Sequence, residues 1–149
     1  MVRIAEEHDA DLVATLLHDF NEEFETPTPG VAVLSARLRA LLRSGATIAL
    51  VAGEPAGGVA LLTLRSNVLY DGPVALLDEL YVRPDLRGQG IGSALLRRAC
   101  DVVRERGGRL FEINVDEDDS GARRFYERHG FTNRPPGQNE RMLYYEREL

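Results

Sequence analysis

Residues 80–95 read L-Y-V-R-P-D-L-R-G-Q-G-I-G-S-A-L, and the order of these residues decides the fold. Leu80, Tyr81 and Val82 favour extended backbone. Pro84 lacks an N–H and biases Arg83 away from the helical region. Gly88, Gly90 and Gly92 then leave their own N–H groups unobstructed where a helix opens. The first N–H groups of a helix have no intrahelical partner, and the macrodipole is positive there. A strand, a short turn and a glycine-rich helix start therefore form an anion cradle, suited above all to phosphate. Arg87 stands at its edge with a permanent charge and a planar donor fork.

Several kinds of phosphate loop compete for this pattern. A nucleoside triphosphate loop needs a Lys after its last glycine, and the chain contains no Lys. A dinucleotide fingerprint can be laid over residues 88–93, but Arg83 to Arg87 separate the strand from its first glycine. A turn without a ligand is the plain alternative; against it, three glycines weaken a helix start unless something uses the space. The remaining pattern is R-G-Q-G-I-G at residues 87–92, preceded by L-Y-V-x-P. It resembles the R/Q-x-x-G-x-G/A signature of the GNAT superfamily of N-acetyltransferases, the loop for the coenzyme A pyrophosphate.

The bulk properties fit one soluble domain spanning 1–149. Hydrophobic residues make up 44% and charged residues 28%, ordinary proportions for a globular chain. A net charge of −6 argues against general nucleic-acid binding and permits a cationic substrate. The N-terminus carries acids where a signal peptide needs an apolar core, and no window approaches a membrane span, so the expected location is the cytoplasm. Cys100 falls in a helical apolar pattern and reads as core filler. His8, His18 and His129 lack metal-ligand spacing, and no metal is expected. Ser93 lacks the surroundings of a serine nucleophile.

Apolar periodicity places the remaining elements. Residues 2–5 form a first strand. A helix opening at His8 or Asp9 carries Leu12, Val13, Leu16, Leu17, Phe20 and Phe24 on one face, and residues 25–30 break it. A second helix carries Leu34, Leu38, Leu41 and Leu42 and ends at Ser44-Gly45. Residues 46–52 and 58–64 form a hairpin, and residues 74–82 complete a meander. The helix after Gly90 buries Ile91, Leu95, Ala99, Val102 and Val103. Residues 110–115 then run parallel to residues 74–82, because a helix crosses between them. A helix from Asp119 or Ser120 reaches Gly130, and residues 131–134 and 141–146 are expected to close the chain as two strands. The fold class is α/β in the α+β sense, a mixed sheet with helices on both faces.

Residues 113–131, I-N-V-D-E-D-D-S-G-A-R-R-F-Y-E-R-H-G-F, look like the second GNAT hallmark, N-x-x-A-x-x-x-Y-E-x-x-G-F. Ala122, Tyr126, Glu127, Gly130 and Phe131 match it. The element order is similar along the whole chain. The resemblance implies an acetyl-CoA-dependent N-acetyltransferase in which the strand of residues 74–82 diverges from that of residues 110–115. Acetyl-CoA would lie in the notch as co-substrate. Its binding residues, so implied, are Leu80, Tyr81, Val82, Arg87, Gly88, Gln89, Gly90, Ile91, Gly92 and Ser93, with Tyr126 and Asp119. Relatives often carry Asn at the position of Asp119. An ionised carboxylate cannot donate, so Asp119 alternatively serves only to cap its helix.

Direct attack by an amine sets three tasks. A carboxylate must take the ammonium proton. Asp78 and Glu79 lie on the implied strand, and a regular strand would point them to opposite faces. A bulge, common in the family, leaves the choice between them open, with Glu79 the first candidate. The oxyanion needs a donor, by resemblance the N–H of Val82 or its neighbour. The departing thiolate needs a proton, by resemblance from Tyr126. The acceptor is expected to be a small-molecule or peptide amine. Acids at Glu22, Glu23, Glu25, Asp116, Glu117 and Asp118 could favour a cationic one, although solvated acids are the commoner explanation of such runs. The resemblance leaves room for a homodimer. The alternative function is a non-catalytic acyl-CoA sensor or interaction module on the same fold.

Overall fold

A computed structural model describes residues 1–149. Two compact units make up the chain, Met1–Ile113 and Asn114–Leu149. The first holds β1 (Val2–Ile4), α1 (Ala10–Glu23), α2 (Val31–Ser44), β2 (Thr47–Gly53), β3 (Ala56–Arg65), β4 (Val74–Val82), α3 (Ile91–Glu105) and β5 (Leu110–Ile113). The five strands form one sheet in sequence order. β1 through β4 are antiparallel neighbours, and β4 and β5 are parallel, as the intervening helix requires.

Alternation along the strands assigns the helices to opposite faces. Ala49 and Val51 of β2 and Val59 of β3 pack with Val13, Leu16 and Leu17 of α1 and Leu38 of α2. The next residue of β3 along from Val59, Gly58, faces the other way. A Cβ there would stand 3.0 Å from Ile91 Cγ2 and 3.1 Å from Leu95 Cδ1 of α3. Gly58 thus lets α3 approach the sheet, while its neighbour anchors α1 and α2. β2 is buried from Thr47 to Ala52 because both faces are covered.

The entry to α1 is held by charge. Arg3 reaches Asp9 with both terminal nitrogens, at 2.7 and 2.8 Å, and Glu6 N–H donates to the same carboxylate at 2.8 Å. Asp9 is buried. The Arg3 hydrogen bonds hold its carboxyl well below the usual range, against the opposing effect of burial.

β4 carries the irregularity that shapes the candidate site. Leu61 of β3 faces Glu79, but the next residue, Leu62, faces Leu77. Asp78 is left as an extra residue in β4, which is a bulge.

The second unit holds α4 (Ser120–Arg128). Asp119 caps it, accepting from Ala122 N–H at 3.0 Å. The two closing strands expected at residues 131–134 and 141–146 are not formed. One backbone bond, Met142 N–H to Asn133 C=O at 2.6 Å, joins the two segments. Pro135 and Pro136 withhold donors between them. An isolated pair of strands is marginal in water without a third strand or a helix to cover it. The parallel strand also ends early, at Ile113 and not at residue 115.

Candidate active site

β4 offers one edge to β3 and the other to β5, and β5 uses only the first part of it. The parallel register runs from Val74↔Leu110 to Leu77↔Ile113 and stops. On the other edge Arg83 N–H donates to Gly57 C=O at 2.8 Å. Bonded pairs alternate along an antiparallel ladder, so Tyr81 and Glu79 also bond towards β3. Leu80 and Val82 lie between them. Their N–H and C=O groups point to the side where β5 has ended. Backbone amides at strand spacing with no strand beside them are suited to a ligand that is itself extended and amide-bearing. One of these groups is occupied: Val82 C=O accepts from Arg87 Nε at 2.8 Å.

Past Val82 the chain makes a one-turn 3-10 helix, Pro84–Leu86, and enters the glycine loop. Gly88 and Gly90 have φ of +75° and +84°, a region L side chains rarely adopt. Gly90 is the N-cap of α3 and has no side chain to cap with. The first turn of α3 contains no acid. The first helical bond is Ala94 N–H to Gly90 C=O at 3.0 Å, and the N–H groups of residues 91 to 93 precede it. The positive end of the macrodipole thus meets a stretch of backbone with no carboxylate of its own turn to offset it. The Gln89 side-chain amide lies 3.5 Å from Asp85 C=O.

Arg87 is turned away from the helix start. Its Nη2 donates to Glu23 Oε1 at 2.8 Å, and its guanidinium lies 5.7 Å from the Tyr81 ring centroid. Tyr81 stacks on Phe20 of α1 at 5.1 Å. Burial raises the Tyr81 phenol, and the nearby charges of Glu23 and Asp19 add to this. The end of α1, the end of β4 and the cradle are therefore joined through Glu23. Sequence reasoning counted Glu23 among the acids of its loop but could not pair it with a residue 64 positions away.

In a regular strand Asp78 and Glu79 would face opposite ways, and β4 departs from that regularity at this point. Glu79 stands opposite Leu61, which packs on the α1–α2 core. Thr63, two residues along β3, shares that face, and its hydroxyl donates to Asp78. The extra residue turns both carboxylates to one side. Burial, then the neighbouring Asp78 charge, pushes the Glu79 carboxyl above its ordinary value. Burial also raises Asp78, opposed by the bond from Thr63. Glu79 is the more buried of the two and has no hydrogen-bonding side chain of the Thr63 kind offsetting its shift. A carboxylate in this setting is a stronger base than one in water.

In the second unit, α4 presents Phe125 and Tyr126 with ring centroids 5.1 Å apart. Phe131 packs edge-on to Tyr126 at 5.8 Å, and its N–H donates to Tyr126 C=O at 3.1 Å. The aromatic side chains of the second motif thus fix one another.

The family model described as acetyltransferase (GNAT) matches residues 10–131. The chain belongs to the GNAT acetyltransferase family. A crystal structure of a presumed acetyltransferase from Arthrobacter sp. FB24 is 57% identical to this GNAT chain. It covers all of this chain and 96% of its own, with a TM-score of 0.95. An uncharacterized N-acetyltransferase of Methanocaldococcus jannaschii is 40% identical over 81 residues, which are 54% of this chain and 36% of that protein. An aminoalkylphosphonate N-acetyltransferase of Salmonella typhimurium is 34% identical over 84 residues, 56% of this chain and 54% of its own. These two matches thus span about half or less of the relatives' lengths. No helix of this GNAT chain is long and apolar enough to cross a membrane.

Proposed function

We propose that this protein moves an acetyl group from acetyl-CoA to an amine by direct attack in a ternary complex. The observation that carries the reading is the early end of β5. It leaves the Leu80 and Val82 amides without a strand beside them, next to the Gly88–Ser93 cradle and on the same strand as Glu79. The cradle takes the diphosphate, and the open edge of β4 takes the amide-bearing arm. Glu79, with its raised pKa, removes the ammonium proton directly or through water. The N–H of Val82 donates to the acetyl oxygen as negative charge develops. Tyr126, assigned by its motif, returns a proton to the departing sulfur.

The acceptor proposed is a small cationic amine. The Salmonella relative is named for aminoalkylphosphonate, a small amine that also bears an anionic phosphonate, so it supports the small amine and not its positive charge. Of the six acids that favour a cation, Glu23 is engaged by Arg87 and Glu117 by Arg141. Glu22, Glu25, Asp116 and Asp118 remain exposed to solvent or nearly so. We place the reaction in the cytoplasm.

Thiol release from acetyl-CoA, followed across a panel of mono-, di- and polyamines, tests the reading. Amine-dependent release, fastest with polyamines, is the expected result. Binding of acetyl-CoA with no release across the panel would favour an acyl-CoA sensor. Turnover confined to neutral or anionic amines would remove the cationic acceptor.

A further inference from the structure

Arg87 borders the cradle but bonds elsewhere. Its Nε donates to Val82 C=O at 2.8 Å, and its Nη2 donates to Glu23 Oε1 at 2.8 Å. Its guanidinium lies 5.7 Å from the centroid of the Tyr81 ring, within cation–π range. Phe20 stacks on the same ring at 5.1 Å, and Tyr81 is buried under this cover. Phe24, edge-on to Phe20 at 5.3 Å, is exposed and continues the aromatic wall to solvent. A carboxylate beside an aromatic face is a seat for an organic cation. Here the occupant is the chain's own guanidinium.

The seat lies along β4 from the base. Tyr81 and Glu79 stand opposite Val59 and Leu61, so they share the face that carries α1 and α2. Alternate strand residues are about 7 Å apart. An amine handing its proton to Glu79 would therefore reach Glu23 with a second charge carried on a short alkyl chain. Acetyl-CoA would contest both bonds that hold Arg87. A diphosphate at the start of α3 competes for the guanidinium, and an amide-bearing arm on the open edge of β4 competes for Val82 C=O. The Arg87–Glu23 pair is partly exposed, and pairs of that kind are weak enough to exchange.

We propose that Glu23, with the face of Tyr81, receives the distal positive charge of a diamine or polyamine, and that Arg87 fills this seat until acetyl-CoA draws it to the diphosphate. The proposal rests on the acetyl-transfer reading above. The exchange couples the two ligands, so each must tighten the other by the same factor.

Coenzyme A without its acetyl group cannot react, so it separates binding from transfer. Cadaverine is titrated calorimetrically into wild type and Arg87→Ala, each with and without coenzyme A. In the wild type, coenzyme A should tighten cadaverine roughly fivefold or more. In Arg87→Ala the seat is already open. That variant alone should bind cadaverine as tightly as the loaded wild type does, and coenzyme A should add little. Pentylamine, the same chain without the second charge, should show no such coupling. In turnover, Glu23→Gln should lower the preference for cadaverine over pentylamine about tenfold, through KM rather than kcat. Cadaverine affinity indifferent to coenzyme A, coupling undiminished in Arg87→Ala, equal coupling for pentylamine, or an unchanged preference in Glu23→Gln would each overturn the proposal. Amine-dependent thiol release would still support acetyl transfer in all those cases. Absence of thiol release with every amine would instead remove the transfer reading, and the calorimetric coupling alone would then decide the seat.

Discussion

At the scale of single residues, the bulge at Asp78 sets the chemistry. It places two carboxylates on one face, and the more buried of them has its pKa raised by desolvation first and by its neighbour second. A base works only when ionised, so the rate should rise with pH through a limb above the ordinary Glu value of about 4.3. Asp78→Asn should move that limb down while leaving most of the rate, because it removes the second cause and not the first. Glu79→Gln should lower kcat by roughly 10²- to 10⁴-fold. The same substitution should raise thermal stability at neutral pH. A carboxyl whose folded pKa is raised holds its proton more tightly when folded, so the fold gains stability as pH falls and loses it as pH rises. Calorimetric melting of both proteins at pH 7 checks the sign. Tyr126→Phe should lower turnover at saturating acetyl-CoA; full turnover would remove the proton-donor role.

Arg87 makes a separate prediction at this scale. It donates to Glu23 in the structure, so a diphosphate in the cradle would compete with that carboxylate for it. Glu23→Gln should tighten acetyl-CoA binding several-fold, and in an Arg87→Ala background it should do nothing. The two motifs were legible in the sequence because their glycines and aromatics are local patterns. The shared face of Asp78 and Glu79 was not, since it depends on how Leu61 and Leu62 register against β4. The same holds for Glu23, whose partner lies across the fold.

At the scale of elements, a few charges and glycines fix where helices begin. Asp9 accepts three bonds at the entry to α1, and its pKa is depressed mainly by Arg3. Its contribution is present above the ordinary Asp value near 3.9 and is lost as pH falls below it. Asp9→Asn should cost about 2 kcal/mol at pH 7 and less as the pH is lowered towards 3, read from urea unfolding. The helices and the first four strands were legible, because their periodicities of 3.6 and 2 survive burial. The two closing strands were read from the same kind of pattern and do not form. Apolar residues at successive positions give a segment a preference for extended backbone, but a strand also needs a ladder partner. Residues 141–146 have one backbone bond, from Met142 to Asn133, and no continuous ladder within the unit that contains them.

At the scale of the whole molecule, the sheet order β1-β2-β3-β4-β5 places the parallel pair last, and the ending of β5 at Ile113 opens β4 where α3 begins. That order was legible from the helix between residues 74–82 and 110–115. The point at which the two strands part was not, because it is a property of the pair. Any ligand that binds the folded chain alone must stabilise it. Acetyl-CoA at 100 times its Kd should add about 2.7 kcal/mol. For a chain of this size that is a rise in Tm of roughly 5 to 10 °C, which NAD should not produce.

The central claim is that backbone amides at the start of α3 hold the diphosphate of acetyl-CoA. Isothermal titration of acetyl-CoA into the wild type and into Gly90→Val tests it most directly. The φ of +84° at Gly90 makes any side chain there a distortion of the cradle, with no atom within 4 Å to clash with. The account predicts saturable binding by the wild type and a loss of at least tenfold in affinity for the variant, with its fold intact by circular dichroism. No binding by the wild type, or equal binding by both, would contradict it.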